Sequence, residues 1–258
     1  MNKEMVFELV GEELTTLFKK HKVLLAGGSI RSLYCSTLEN AHEYEKENTV
    51  KDLDIYFKSK ENIIELVKDL KELGYDIICE TSNAITLGQE GHYPIQLIVL
   101  ENTIGGAENI MKSFDFSVCS AVFDFELEEF FFDKHFKIDN KKRKLRFNTD
   151  TSFPIASLIR VGKYVKKKYS INNIEYLKIA LSINRVKISS FEDLKLQLQG
   201  IDTLILKPVT DNLIDNQDYD MNEFLDKMNE YLESTINSSY NACIEKSSER
   251  TYTIEDEF

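Results

Sequence analysis

Two short stretches carry the residues whose types and spacing suit chemistry. Gly27-Gly28-Ser29 ends the apolar run Lys22–Ala26, and Asp52 and Asp54 stand two positions apart in Asp-Leu-Asp-Ile-Tyr-Phe. Residues two apart on a strand project from one face, so the aspartates present two hard oxygen donors together. Such a pair suits Mg²⁺ (Mn²⁺ as a substitute), which keeps several waters and takes its remaining ligands from substrate phosphates. Two ions so held neutralise an in-line displacement at phosphorus. The glycine turn supplies the complementary half. Without Cβ atoms the backbone approaches a triphosphate closely, and the N–H groups of a helix start point outward with a positive dipole. Ser29 caps that helix and offers a hydroxyl donor, while Arg31 either clamps a phosphate or fixes the loop. The expected chemistry moves a nucleoside monophosphate from an NTP to an acceptor hydroxyl, releasing pyrophosphate.

The elements that must position these residues follow from periodicity. Apolar positions Met5, Leu9, Leu14, Leu17 and Phe18 predict an amphipathic helix over 4–20. Lys22–Ala26 reads as a buried strand, Ser29 to Tyr34 as a helix, 37–51 as a polar and acidic surface loop, and Asp52–Phe57 as a half-buried strand. A helix over Lys60–Leu73 closes at Gly74. Strands are expected at Tyr75–Glu80, Ala84–Leu87 and Pro94–Leu100, then a short helix at Ala107–Lys112. An apolar segment, Phe114–Phe125, and a strand at Glu128–Asp133 follow, with a basic irregular stretch over 134–146. Beyond Phe153 the pattern is helical: Ile155–Tyr169, Ile174–Ile183, Phe191–Leu198 and Met221–Tyr240. The fold class is α+β: a mixed sheet flanked by helices over 1–150, a small helical domain over 151–245, and a mobile acidic tail over 246–258.

The chain has 258 residues and a net charge of −12, and its distribution matters more than the sum. Residues 211–258 hold 13 acids against 3 bases, so the preceding 210 residues are close to neutral and can still hold phosphates. No run of 18 apolar residues marks a membrane span, and the N-terminus lacks the pattern of a signal peptide. Cys35, Cys79, Cys119 and Cys243 are too dispersed for a metal or disulfide framework, which points to free thiols and a cytoplasmic setting. His21, His42, His92 and His135 have no metal spacing, and Phe130-Phe131-Phe132 reads as core.

Strand, Gly-Gly-Ser turn, helix, then an Asp-x-Asp strand resembles the DNA polymerase β-like nucleotidyltransferase superfamily. Within it the sequence is most similar to the head of tRNA nucleotidyltransferases and bacterial poly(A) polymerases, over roughly residues 20–170. Gly27-Gly28-Ser29-Ile30-Arg31 looks like their GG-x-x-R turn, Asp115-Phe116-Ser117 like their D-F-T core, and Leu158 to Tyr164 like their L-x-R-x-x-[RK]-[FY] helix. The departures are Ser32 where Asp is usual, Cys119 where Asn is expected, Ser113 where the motif has Arg, and a long acidic loop between the motifs. The strand that carries a third carboxylate in many members offers only Gln96, and the tRNA-type branch makes do with two.

The resemblance implies metal binding by Asp52 and Asp54 and nucleotide binding by Gly27, Gly28, Ser29, Arg31, Asp115, Arg160 and Lys163. Asp115 either orients the nucleotide or couples the head to the helical part. Arg160 and Lys163 share a helix face that either reaches a triphosphate or is a solvated basic face. The basic run Lys141-Lys142-Arg143-Lys144 with Arg146 either tracks a nucleic-acid backbone or is a solvated loop. The favoured acceptor is an RNA 3′ end, that of tRNA first, making the chain an RNA-binding, ATP-binding transferase. A small molecule or a protein hydroxyl is the alternative acceptor. A catalytically silent nucleotide-binding interaction protein is the reading from outside enzymology.

Overall fold

The computed structural model describes residues 1–81, 83–189 and 191–198. The expected first helix is two: α1 (Lys3–Val10) and α2 (Glu12–Lys20). Gly11 divides them with φ of 88°, a left-handed conformation that suits a residue without Cβ. Next come β1 (Leu24–Ala26), α3 (Gly28–Ser36), β2 (Leu53–Tyr56) and α4 (Glu61–Glu72). Gly74, at φ 89°, follows the end of α4 as expected. β3 (Asp76–Glu80), β4 (Ala84–Gly88), β5 (Ile95–Ile98), α5 (Ala107–Ser113), β6 (Ala121–Asp124) and β7 (Glu129–Phe132) complete the sheet region. Then α6 (Phe136–Lys141), α7 (Pro154–Lys166), α8 (Asn173–Ile183) and α9 (Phe191–Leu198) follow. The expected helix at Met221–Tyr240, Cys243 and the acidic tail lie outside the described residues.

The seven strands form one mixed sheet in the order β3-β4-β5-β2-β1-β6-β7. β2 and β5 are parallel, and every other neighbouring pair is antiparallel. One face packs on α1, α2 and α4, burying Phe18, Leu25, Leu53, Ile55, Leu66, Leu70 and Phe123 in a large apolar cluster. Each such side chain removed from water contributes about 1.5–3 kcal/mol. Phe130 and Phe132 pack against this cluster, so the phenylalanine run is core. On the opposite face Leu24, Ala26, Tyr56, Ile110 and Val122 form a smaller cluster under α5.

A further apolar cluster joins residues on either side of position 150. Phe116, Val118 and Cys119 pack with Leu145 and Phe147, and with Val161, Tyr164, Tyr169 and Ile179 of the α7–α8 region. The stretch 134–146, expected to be irregular and read as a nucleic-acid track or a solvated loop, contains α6 and two internally engaged arginines. Arg143 lies between the rings of Tyr44 and Tyr169, at 4.0 and 5.0 Å, and donates to Asn48 Oδ1. Arg146 pairs with the buried Asp139. The loop 37–51 is likewise more ordered than its composition suggests, with short 3₁₀ turns at Ala41–Tyr44 and Lys46–Asn48. Cys35, Cys79 and Cys119 are buried and outside any disulfide. No helix among the described residues is long and apolar enough to cross a membrane.

Candidate active site

β1 and β2 set the site because their register brings the two motifs together. Ala26, the last residue of β1, lies opposite Asp54, so the turn that follows β1 passes directly over the Asp54 carboxylate. Gly27 takes φ 76° and ψ −131°, a conformation disfavoured for any residue with a Cβ. A Cβ there would also stand 3.1 Å from Asp54 Oδ2 and 3.4 Å from the Phe114 ring. Both the path of the chain and the carboxylate beneath it therefore require glycine. Gly28 opens α3 and would accept a Cβ without contact, so its value lies in backbone approach from outside. Leu53 and Ile55 are buried in the main core, which places Asp54 on the other face with Tyr56. Asp54 is half-buried on β2, and Asp52, also half-buried, immediately precedes the strand.

The third carboxylate position is occupied by an amide. β5 runs parallel to β2 with Gln96 beside Asp54, so its carboxamide is the nearest side chain in register on that strand. Asp124 on β6 is committed elsewhere, accepting from Lys58 and from the backbone N–H groups of Glu126 and Leu127. Among the described residues no group of three or more His, Cys, Asp or Glu side chains is arranged to hold a metal ion. Two carboxylates plus an amide oxygen are hard donors that fit a magnesium-class ion sharing its sphere with phosphate.

Ser29 does not cap α3. The cap position belongs to Gly27, and the buried Ser29 hydroxyl donates to Ala26 O at 3.3 Å, inside the turn. Arg31 is fully enclosed, 1% exposed, and donates through Nη2 to Ser32 Oγ. In this position it holds Ser32, and a phosphate could reach it only if that packing opened. Ser32, where the resemblance leads one to expect Asp, passes the chain of contacts on to Thr49 O.

Asp115 and Arg160 meet. Arg160 Nη1 of α7 donates to Asp115 Oδ2 at 2.7 Å, with the carboxylate buried and the guanidinium side chain 32% exposed. Burial opposes the charge on Arg160, but Asp115 outweighs it and holds the guanidinium firmly protonated. The pair ties α7 to the segment leading into β6. Tyr56 lies among these groups: burial first, then the Asp54 charge, pushes its phenol well up, while Arg160 pulls it down. Asp54, Asp115 and Arg160 thus share one neighbourhood.

Lys163, one turn further along α7, is exposed. Lys167, just past the end of α7, belongs to no motif in the sequence, although it repeats the Arg160–Lys163 side of the helix four residues on. It is partly buried, and burial, followed by the charges of Arg31 and Lys163, brings its ammonium down to about 7. Cys119 donates to or accepts from Tyr164 OH at 2.7 Å, and burial raises both groups. The buried His21 lies 2.7 Å from Asp69, tying α2 to α4 away from the site.

A model of the Gabija anti-defense 2 family matches residues 2–143. The chain belongs to the Gabija anti-defense 2 family. It is 30% identical over 245 residues to Gabija anti-defense 2 of Bacillus phage SPbetaL7, covering 93% of this chain and 58% of that protein. It therefore spans little more than half the length of that relative.

Solved structures show the fold. A CCA-adding enzyme in an apo form superposes with a TM-score of 0.52 at 14% identity, over 88% of this chain and 53% of that one. The Thermotoga maritima CCA-adding enzyme complexed with tRNA gives 0.53 at 12% identity, over 88% and 53%. A CCA-adding enzyme with ATP gives 0.51 at 14%, over 88% and 52%. The α+β fold is that of the nucleotidyltransferase head of CCA-adding enzymes. The family that matches is an anti-defence family, and it carries no tRNA-specific assignment.

Proposed function

We propose that the chain is a metal-dependent nucleotidyltransferase that serves phage counter-defence by moving a nucleoside monophosphate from an NTP to an acceptor hydroxyl. The observation that carries this reading is the closure of the Gly27 turn over Asp54, where backbone conformation and carboxylate position each demand glycine. Asp52 and Asp54 are the residues that would hold Mg²⁺, with Gln96 as a neutral neighbour. When bound, the metal supplies charge neutralisation at the α-phosphate and lowers the pKa of the acceptor hydroxyl. Gly28 and the first N–H groups of α3 receive phosphate oxygens, and Gly27 keeps the turn close to the carboxylates. The Asp115–Arg160 pair fixes α7 against the sheet, leaving the exposed part of Arg160 and Lys163 toward the nucleotide.

The acceptor is proposed first as an RNA 3′ end, on likeness to the tRNA-type head. The second reading, favoured by family membership, is a hydroxyl of a component of the Gabija system after which the family is named. The test is incubation of the chain with each α-labelled NTP, Mg²⁺, and separated RNA and Gabija protein fractions. Label transfer with pyrophosphate release is expected, and Asp52→Asn or Asp54→Asn should abolish it. Turnover unchanged in both variants would remove the assignment. NTP binding without pyrophosphate release in the native chain would favour a silent binding protein.

A further inference from the structure

Helix α8 is apolar on almost every side, with Ile, Leu, Ala or Tyr at seven of its 11 positions. Glu175, Ile179 and Ser182 mark the side turned inward, and Ile179 belongs to the cluster that joins this helix to Phe116 and Phe147. Ile174, Leu177 and Leu181, spaced i, i+3, i+7, form a second stripe that stands 60, 53 and 54% exposed. A helix apolar all round is the pattern of one covered on both sides. Charge singles out the cover. Over residues 154–188 eight bases stand against one acid, Glu175. That acid is buried and already engaged by Lys178 and by the backbone N–H of Phe147. The exposed Lys166, Lys168, Arg185 and Lys187 leave the α7–α8 layer positive. A second copy would bring this surface against itself, like charge to like. An RNA would gain little from three aliphatic side chains, which neither stack on bases as rings do nor donate to phosphate. An amphipathic helix with an acidic polar face suits both the stripe and its rim.

We infer that the occupant is residues 221–240 of this same chain, laid along the Ile174–Leu177–Leu181 stripe. Met221, Phe224, Leu225, Met228, Tyr231, Leu232 and Ile236 recur at i, i+3, i+4, i+7, i+10, i+11 and i+15, which is one helical face. Glu223, Asp226, Glu230 and Glu233 stand off that face, against the single base Lys227. The two stripes match in kind, and the two charge excesses are opposite in sign. Reach is no obstacle. α9 packs on α7, and Gln197 Nε2 donates to Ser152 O at 3.0 Å, so the chain leaves the described residues beside this layer. The 22 residues from 199 to 220 span up to roughly 70 Å when extended. The acidic part of the chain thus closes its own positive helical layer.

The chain has no Trp, so one introduced indole reports alone. The test makes Phe224→Trp in the full chain and reads its emission and its quenching by acrylamide, with far-UV circular dichroism to verify folding. Emission at shorter wavelength than in the urea-unfolded chain, with weak quenching, is expected. Adding Leu177→Asp or Leu181→Asp should shift that emission to the red and raise quenching, because an ionised carboxylate on the stripe resists apolar cover. Reversing charge on the segment itself, Glu230→Lys with Glu233→Lys, should act in the same direction and leaves every described residue intact. Leu127→Asp, equally exposed at 54% between β6 and β7, is the control and should change neither reading. Solvent-like emission from Phe224→Trp alone would overturn the inference, as would short-wavelength emission that none of these variants moves. Emission that reddens on dilution, with a dimer in sedimentation, would replace the segment by a second copy. Loss of affinity for an RNA oligonucleotide in Leu177→Asp, with emission unchanged, would give the stripe to nucleic acid.

Discussion

Replacing Gly27 by alanine places a methyl carbon 3.1 Å from Asp54 Oδ2 and 3.4 Å from the Phe114 ring, on a backbone at φ 76°. The backbone alone costs about 1–3 kcal/mol for a residue with a Cβ in that region. Relief of the close contact then requires the Asp54 carboxylate or the turn to move by a few tenths of an ångström. For a chain of this size each 1 kcal/mol lowers Tm by roughly 2–4 °C. A fall of about 4–10 °C is therefore expected in a thermal melt. A catalytic loss of up to roughly tenfold should accompany it, because misplacing a metal-binding carboxylate or the phosphate turn by about 1 Å costs on the order of 100-fold in rate and this shift is a fraction of that. Gly28→Ala is the internal control for strain: nothing lies within 4 Å of the point its methyl would occupy and it starts a helix, so Tm should hold or rise. If Gly28→Ala loses label transfer at native Tm, close phosphate approach at that residue is supported. If Gly27→Ala melts and transfers label like the native chain, the coupling of turn to carboxylate is refuted.

Three further outcomes follow from the same contacts. Arg160→Gln leaves the buried Asp115 carboxylate without its cation and should cost about 2–3 kcal/mol in urea denaturation, below a fully buried pair because Arg160 is one-third exposed; an unchanged midpoint would argue that the pair is incidental. Glu126, held down to about 2 by Lys22 and then Lys58, and Glu128, held down to about 2 by Lys19 and then Lys3, sit below their ordinary value of 4.5. Their folded pKa values are depressed, so their contribution is complete above about pH 4.5 and is lost as pH falls toward 2. The double variant Glu126→Gln, Glu128→Gln should accordingly have a shallower acid-unfolding curve across that window. Arg143→Ala removes the cation between Tyr44 and Tyr169 and should cost about 2 kcal/mol, whereas Lys141→Ala should stay within about 0.5 kcal/mol; equal effects would return the basic run to the status of a solvated loop.

What could be read from the sequence was the part encoded by local spacing. The Gly-Gly-Ser turn and the Asp-x-Asp strand lie within 30 residues of one another, and strand alternation places Asp54 correctly away from Leu53 and Ile55. The helices at Asn173–Ile183 and Phe191–Leu198 are close to their expected bounds for the same reason. Ser29 misled because capping preference competes with the φ that only Gly27 takes, and the competition is settled by Asp54 on another strand. Arg143 looked solvated because its partners, Tyr44 and Tyr169, are remote in sequence. Arg31 and Lys167 differ again: their surroundings depend on α3 and the end of α7 being brought together, which no one-dimensional period records. Gly11, by contrast, divided the first helix in plain view.

The seam that crosses position 150 has a mechanical consequence. Phe116 meets Phe147 and Tyr164 edge-on at 5.9 and 5.4 Å, and Tyr164 meets Tyr169 at 5.8 Å. Swinging α7 away from the sheet would peel these rings apart and wet them, so this junction is a weld where a jaw would need a joint. Cutting the chain there for expression would expose the same rings, and a fragment ending at residue 150 would carry a sticky flank into solution.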